Sequence, residues 1–481
     1  MESLPAKKAF SPFEFCPVIQ PQKKSWIPSN GLLAVYWTIN PVPSKYSRFT
    51  ITEGVSMKRA EPRLLSRVFF GIVFFCTMRF QNTPADELAL DLPWTVNQPI
   101  VTVQKDRYFP DSKEKGTAWI DKYYVGPRLE LWEIASVSRG DKLSKMKSRF
   151  SIDNGKTWSD FKTFNPPSIT VTYNGIEHVE IPGPCLWDNT AEVLLSTWLR
   201  ANNNGFHTYY RFSTDHGATW TTPKMLRYDE GAEFDPNDPV ALDYIQTNQG
   251  YFGNNIIKHS NGTILTALGD ANRNRGKRNY SLCFIARWDP AARNYQWTPG
   301  KRVEIAKDKS AVLSEPEVVE LKDSRVLIVW RAECTDSTPG HKYFSTSDDG
   351  GMTLSPPQKL KYDDGTDFFS PASFHRMVRS NLNGRLYWLG NITAQPPGGR
   401  GCAYPRYPLV IAEVDESGPV PSLKKNTVTL IDDRQADQPE GIEFSNFTLL
   451  QDRETHQLHL YIVVKGHSPT KNYKYLVTFV H

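Results

Sequence analysis

An eight-residue pattern occurs three times: Ser151-Ile-Asp153-Asn-Gly155-Lys-Thr157-Trp158, Ser213-Thr-Asp215-His-Gly217-Ala-Thr219-Trp220 and Ser347-Asp-Asp349-Gly-Gly351-Met-Thr353-Leu354. Each copy has Asp and Gly where a tight turn needs them, because the Asp side chain bonds nearby backbone N–H groups and Gly accepts positive φ. Repetition at a long interval points to a solenoid or a propeller. The copies start at positions 151, 213 and 347, so the intervals are 62 and 134 residues, the second being twice 67. One unit between the second and third copies has therefore lost its box.

Steps of about 66 residues land on three further strand-like runs, Phe284-Ile-Ala-Arg-Trp288-Asp289, Val410-Ile-Ala-Glu-Val414-Asp415 and Leu476-Val-Thr-Phe479. Residues 86–481 divide into about six such units, each long enough for a four-stranded blade. The expected fold is all-β: a six-bladed β-propeller of four-stranded antiparallel blades, the last strand closing the ring against the first blade. Aromatic residues at 12%, 13 Trp and 35 Pro suit many short strands and turns.

The chain ahead of the repeats is different. Lys58, Arg59, Arg63 and Arg67 precede an apolar run, Val68–Met78, which has the size of a signal-peptide core and is short for a bilayer span. Residues 1–56 are thus read as an over-extended, disordered N-terminus, 57–85 as a signal peptide starting at Met57, and 86–481 as the propeller. The product is expected to be secreted or periplasmic, without a stable membrane span after leader removal. A buried strand or an uncleaved anchor is the alternative for the apolar run.

A net charge of +5 over 481 residues, without an extended basic run, argues against nucleic acid and membrane surfaces as partners. The densest basic cluster, Asn272–Arg278, reads as a solvated loop, with contact to an acidic ligand as the alternative. Beyond the leader remain Cys185, Cys283, Cys334 and Cys402, with no Cys-x-x-Cys, so no zinc site is expected. Three disulfide pairings and reduced thiols all stay open. There is no Gly-rich phosphate loop, His-Glu-x-x-His or Gly-x-Ser-x-Gly, so phosphoryl transfer, zinc proteolysis and α/β-hydrolase chemistry have no sequence support; no cofactor is expected. Acidic Glu230–Asp243 offers oxygen donors for calcium without EF-hand spacing; a solvated loop is the favoured reading over a bound calcium, and no metal is expected.

The three boxes resemble the Asp-boxes of the sialidase (neuraminidase) superfamily, and the resemblance covers about residues 86–481. It implies a six-bladed propeller with a site at one axial end, the boxes lying away from that site. Leu313-Ser-Glu315-Pro-Glu317 followed by Val326-Leu-Ile-Val-Trp330-Arg331 resembles the stretch in which the family's Glu polarises a tyrosine nucleophile and its Arg binds the substrate carboxylate. The resemblance implies those roles for Glu315 and Arg331; a surface carboxylate and a salt bridge are the plainer reading. Leu129–Asp141 resembles the strand and loop of the acid/base aspartate, which makes Asp141 the second catalytic candidate beside a simple turn residue. A further substrate-binding arginine is expected at Arg400 or Arg406, with Tyr404 or Tyr407 stacking on a sugar or packing in the core.

Two positions depart from the family. Trp119-Ile120-Asp121 stands where the family has Arg-Ile-Pro, with Arg107 or Arg128 as substitutes only if the alignment is shifted. Phe444-Ser445-Asn446 stands where the family has Tyr-Ser-Asp, and phenylalanine has no hydroxyl to act as nucleophile. Two carboxyls can instead direct a water, with Asp141 and Glu315 as the pair and Glu440 and Glu443 as further candidates. The expected function is a secreted sialidase-like glycoside hydrolase, of exo-α-sialidase or related acidic-sugar type. The alternatives are a non-catalytic glycan-binding propeller, or another polysaccharide-active enzyme such as a lyase. The expected partner in each case is a glycan or polysaccharide.

Overall fold

The computed structural model describes residues 92–108, 117–139, 142–163, 170–202, 205–271, 278–466 and 470–480, all within one unit, Thr83–His481. The over-extended segment and the leader expected at 1–85 lie outside the described residues. So do Asp141 and most of the Asn272–Arg278 cluster.

The described strands form six antiparallel sheets in chain order, the blades of a propeller. The first blade runs Thr117–Tyr124, Leu131–Arg139, Lys142–Ser151 and Lys162–Thr163 from the axis outward. The fourth repeats this plan with Ser314–Glu320, Val326–Arg331, Tyr343–Ser347 and Gln358–Lys359. Blades two, three and five carry extra short strands, such as Thr170–Tyr173 beside the inner strand Ile176–Asp188. Among the described residues no helix is long and apolar enough to cross a membrane.

Strand alternation builds the core. Successive side chains point to opposite faces, so each blade feeds two clusters. In Val326–Arg331, Leu327 and Val329 pack toward the fifth blade, while Val326, Ile328 and Trp330 pack toward the third. In Leu386–Asn391, Leu386 and Trp388 face the fourth blade, and Tyr387 and Leu389 the sixth. Six clusters of this kind sit between successive blades around the ring.

The first and last blades meet through the smallest of these clusters, around Ile120, Ala135 and Tyr461. Charge reinforces it: Lys122 lies 2.7 Å from buried Glu133, which also bonds Arg149 at 2.7 Å, and its ammonium sits 4.5 Å from the Tyr461 ring centre. Ring closure differs from expectation. The first strand, Val101–Arg107, joins the sixth blade as its outermost strand, paired with Lys471–Phe479 from Val101 opposite Phe479 to Arg107 opposite Tyr473. Without it the third strand of that blade would be left as an open edge.

The boxes form the same knot three times. In the first, Ser151 Oγ donates to Asp153 Oδ1 at 2.7 Å and accepts from the Gly155 N–H at 2.8 Å. Asp153 also accepts from the Thr157 N–H and hydroxyl at 2.8 and 2.6 Å. Trp158 closes the turn by donating to the Gly155 carbonyl at 2.9 Å. The third copy keeps the Ser347, Asp349 and Thr353 bonds, and Leu354 packs on the core in place of the tryptophan. The third blade makes a tighter turn there, with Asp289 accepting from the Ala291 and Ala292 N–H groups. Each box joins a third strand to a fourth, so the boxes lie at the end of the ring opposite the one where inner strands begin.

Candidate functional site

A cavity of about 240 Å³ opens on the axis at the end where inner strands begin. Trp119, Asp121 and Tyr123 alternate along the innermost strand of the first blade and all line it, as strand periodicity requires. Asn254, Phe374, Arg376, Asn446 and Lys465 bring in blades three, five and six. The backbone runs close on one side: a Cβ on Gly183 would lie 2.6 Å from Thr197 Oγ1.

Asp121 is the acidic centre of the cavity. Burial pushes its carboxyl up to about 6, against hydrogen bonds from Trp119 and Tyr123 and the charge of Arg376. Tyr123 is held well above its ordinary range, first by burial and then by Asp121. On the other side of Arg376, Nε lies 3.3 Å from Oε1 of Glu317, without the alignment of a hydrogen bond. Glu317 is fully buried, which lifts its carboxyl to about 7; Arg376, the Met377 N–H and Asn254 resist the rise. Two carboxyls that gain or lose a proton near neutrality thus share one guanidinium, the environment that acid–base chemistry needs.

The segment that brings Phe374 and Arg376 into the cavity is tied from below. Fully buried Lys342 donates to the carbonyls of Pro371 and Ser373 at 3.1 and 2.6 Å, and burial holds its amine well below the ordinary lysine range. Asn254 donates to the His375 carbonyl at 3.4 Å and to that of Glu315 at 3.0 Å, and the Ala372 N–H donates to the Cys402 carbonyl at 2.9 Å. Cys402 is joined to Cys334 by a disulfide, which pins the loop carrying Arg400 and Arg406 to the end of the fourth blade. Cys185 and Cys283 are free thiols, both pushed up to about 12 by burial.

Several of the residues singled out in the sequence, Glu315, Arg331, Arg406 and Glu443 among them, come to this end of the ring but do not line the cavity. Arg331 contacts both oxygens of Glu315 at 3.0 Å. Beside them Asp270, raised to about 6 by burial, is met by Arg278 at 3.2 Å. Arg406 pairs with Glu443 at 3.1 Å, and the same carboxylate accepts from Tyr404 at 3.2 Å and Asn446 at 2.9 Å. Arg400 is exposed in a short turn. Tyr407 packs on the cluster that contains Phe444, whose ring is buried in the core. Arg107 sits on the outermost strand of the sixth blade and Arg128 in a turn at the box end. Glu440 is exposed. Asp141 lies outside the described residues; the strands flanking it, Leu131–Arg139 and Lys142–Ser151, meet at the cavity end of the first blade.

Glu317, Arg376 and Lys465 did not stand out in the sequence as site residues, and Asp121 entered only as part of the departure from Arg-Ile-Pro. The signal that was present is the spacing of Trp119, Asp121 and Tyr123, which an inner strand turns into one wall. In the acidic Glu230–Asp243 loop, Glu233 meets Arg227 at 3.1 Å and Asp235 accepts from the Asn237 N–H at 2.8 Å. Among the described residues no group of His, Cys, Asp or Glu has the arrangement of a metal site.

The BNR repeat-like domain family matches residues 180–420. A protein of unknown function from Dyadobacter fermentans DSM 18053 has a similar solved structure, with a TM-score of 0.53 at 15% identity over 80% of this chain and 100% of that one. The Hadza microbial sialidase Hz136 is similar at a TM-score of 0.50 and 12% identity, over 78% of this chain and 68% of that one. At these identities the likeness is one of fold. The sequence matches no curated protein.

Proposed function

Because this chain belongs to the BNR repeat-like family, as a sialidase-like six-bladed propeller, we propose that it is a glycoside hydrolase of the acidic-sugar type, working in the axial cavity with Asp121 as general acid. The observation that carries the reading is Asp121 itself, a carboxyl held protonated up to about pH 6 in an aromatic-lined cavity beside Arg376. A general acid works best when its pKa is near the working pH. Asp141, in the sequence between Leu131–Arg139 and Lys142–Ser151, is proposed as the second carboxyl, directing a water. Glu315 serves by holding Arg331, and Glu443 by holding Arg406. With Phe444 in the core, no tyrosine at that position attacks the sugar, and the proposed route is inverting, through water.

Export is part of the proposal, with a leader at 57–85 and the mature chain from about residue 86. The Cys334–Cys402 disulfide supports it, since such bonds persist in oxidising compartments.

The test is release of free sugar from sialoglycan and uronate-containing polysaccharide mixtures, by wild type, Asp121→Asn and Asp141→Asn, with thermal melts to confirm folding. Turnover lost in Asp121→Asn supports the assignment; full activity in that variant removes it. A second reading, a glycan-binding propeller without turnover, is favoured by the closure of Arg331 and Arg406 onto glutamates. It is identified by saturable binding with no new reducing end and no ultraviolet-absorbing unsaturated product.

A further inference from the structure

We propose that Lys465 sets the substrate class of the axial cavity by holding the carboxylate of a single acidic sugar ring, in place of the arginines that are tied up at the rim. The inference rests on the glycan reading of the cavity. Three charged side chains line its wall: Asp121, Arg376 and Lys465. Arg376 is already matched by Glu317 at 3.3 Å and by Asp121. Among the described residues Lys465 has no such match, with no carboxylate within salt-bridge distance and no side-chain hydrogen bond. Lys465 is half-buried as a residue and lines the cavity together with Phe447 and Val463, and a partly buried ammonium is stabilised most by an anion brought in with the ligand.

The backbone at the lysine is held in place. Its carbonyl accepts the Glu443 N–H at 3.2 Å, and the next-but-one residue before it, Val463, donates to the Asn446 carbonyl at 2.9 Å. After it, Gly466 has φ 86° and lies so close to the neighbouring chain that a Cβ would sit 2.5 Å from the Gly441 carbonyl oxygen. Trp119 and Phe374, their rings 5.6 Å apart, offer apolar faces for the C–H side of a sugar. At about 240 Å³ the space is smaller than the roughly 300–1,000 Å³ typical of drug-sized ligands, which suits one ring. The carboxylate is that of a hexuronic acid or of a sialic acid.

Calorimetric titration of the full chain with methyl glucuronide, methyl glucoside and the methyl glycoside of N-acetylneuraminic acid tests this, using wild type, Lys465→Gln and Lys465→Arg. The glucuronide and glucoside differ chiefly in the carboxylate. Wild type is expected to bind the glucuronide about tenfold or more tightly than the glucoside, Lys465→Gln to lose the preference, and Lys465→Arg to keep most of it. A preference for the neuraminide that Lys465→Gln abolishes supports the lysine's role and assigns the carboxylate to sialosides. Equal binding of glucuronide and glucoside by wild type, or a preference that survives Lys465→Gln, overturns the role while leaving a glycan site. No binding of any of the three overturns the glycan reading and this inference with it.

Discussion

Replacing Glu317 by Gln tests whether the axial site is organised around a buried carboxyl. Glu317 is fully buried, and burial raises its pKa from 4.5 to about 7. Its folded value lies above the unfolded one, so its contribution to stability is full below about pH 4.5 and is lost as pH rises through 7. The displacement corresponds to about 3 kcal/mol. Gln keeps the shape and cannot ionise, so the variant escapes that loss. Urea unfolding of both proteins at several values between pH 4.5 and 8 is the assay. Asp121 and Asp270, each raised to about 6, contribute slopes of their own, which cancel in the difference to the extent that the substitution leaves them unchanged. The variant is expected to gain about 3 kcal/mol on wild type across that range. A difference that stays constant with pH would mean that Glu317 ionises as freely folded as unfolded, and would refute the argument.

Other consequences are measurable. If Asp121 is the general acid, turnover falls as pH rises through about 6, and a pH–rate profile without that limb removes the assignment. The Cys334–Cys402 disulfide spans a sequence separation of 68, so Cys334→Ser is expected to lose about 4 kcal/mol through the freer unfolded chain; equal denaturation midpoints for variant and wild type would contradict this. Trp388 is fully buried between the fourth and fifth blades, and Trp388→Ala is expected to cost about 3–5 kcal/mol, read from the same unfolding curves.

Much of the fold was legible because the box is local chemistry. Ser, Asp, Gly and Thr within eight residues bond one another in the knot seen at Ser151–Trp158, so its spacing reports the blade period directly. Ring closure was not legible, because pairing Val101–Arg107 with Lys471–Phe479 joins the two ends of the described chain. No local pattern records that. The cysteine pairing was open for a similar reason. Cys334 follows the second strand of the fourth blade and Cys402 lies in a loop of the fifth, and only the meeting of those loops at the cavity end selects them.

The site was less legible, and the inner strand of the fourth blade shows why. Glu315 and Glu317 are two apart, so a regular strand would send both to one side. Its pairing with Val326–Arg331 slips between Ser314 and Glu317, and Glu315 sits at φ 46°. A bulge of this kind re-aims side chains. Glu315 turns to Arg331 in its own blade, and Glu317 reaches Arg376 in the next. A motif match follows residue order and cannot see that change of direction. The same limit applies at position 119, where comparison with Arg-Ile-Pro registers a lost arginine. The strand instead lines up Trp119, Asp121 and Tyr123 as one wall. Glu315, Arg331, Arg406 and Glu443 are therefore bound in ion pairs outside the cavity, while Asp121 and Lys465 line it. Activity should accordingly respond more sharply to changes at Asp121 and Lys465 than to conservative changes at Arg400 or Tyr407, which lie exposed or packed on the core.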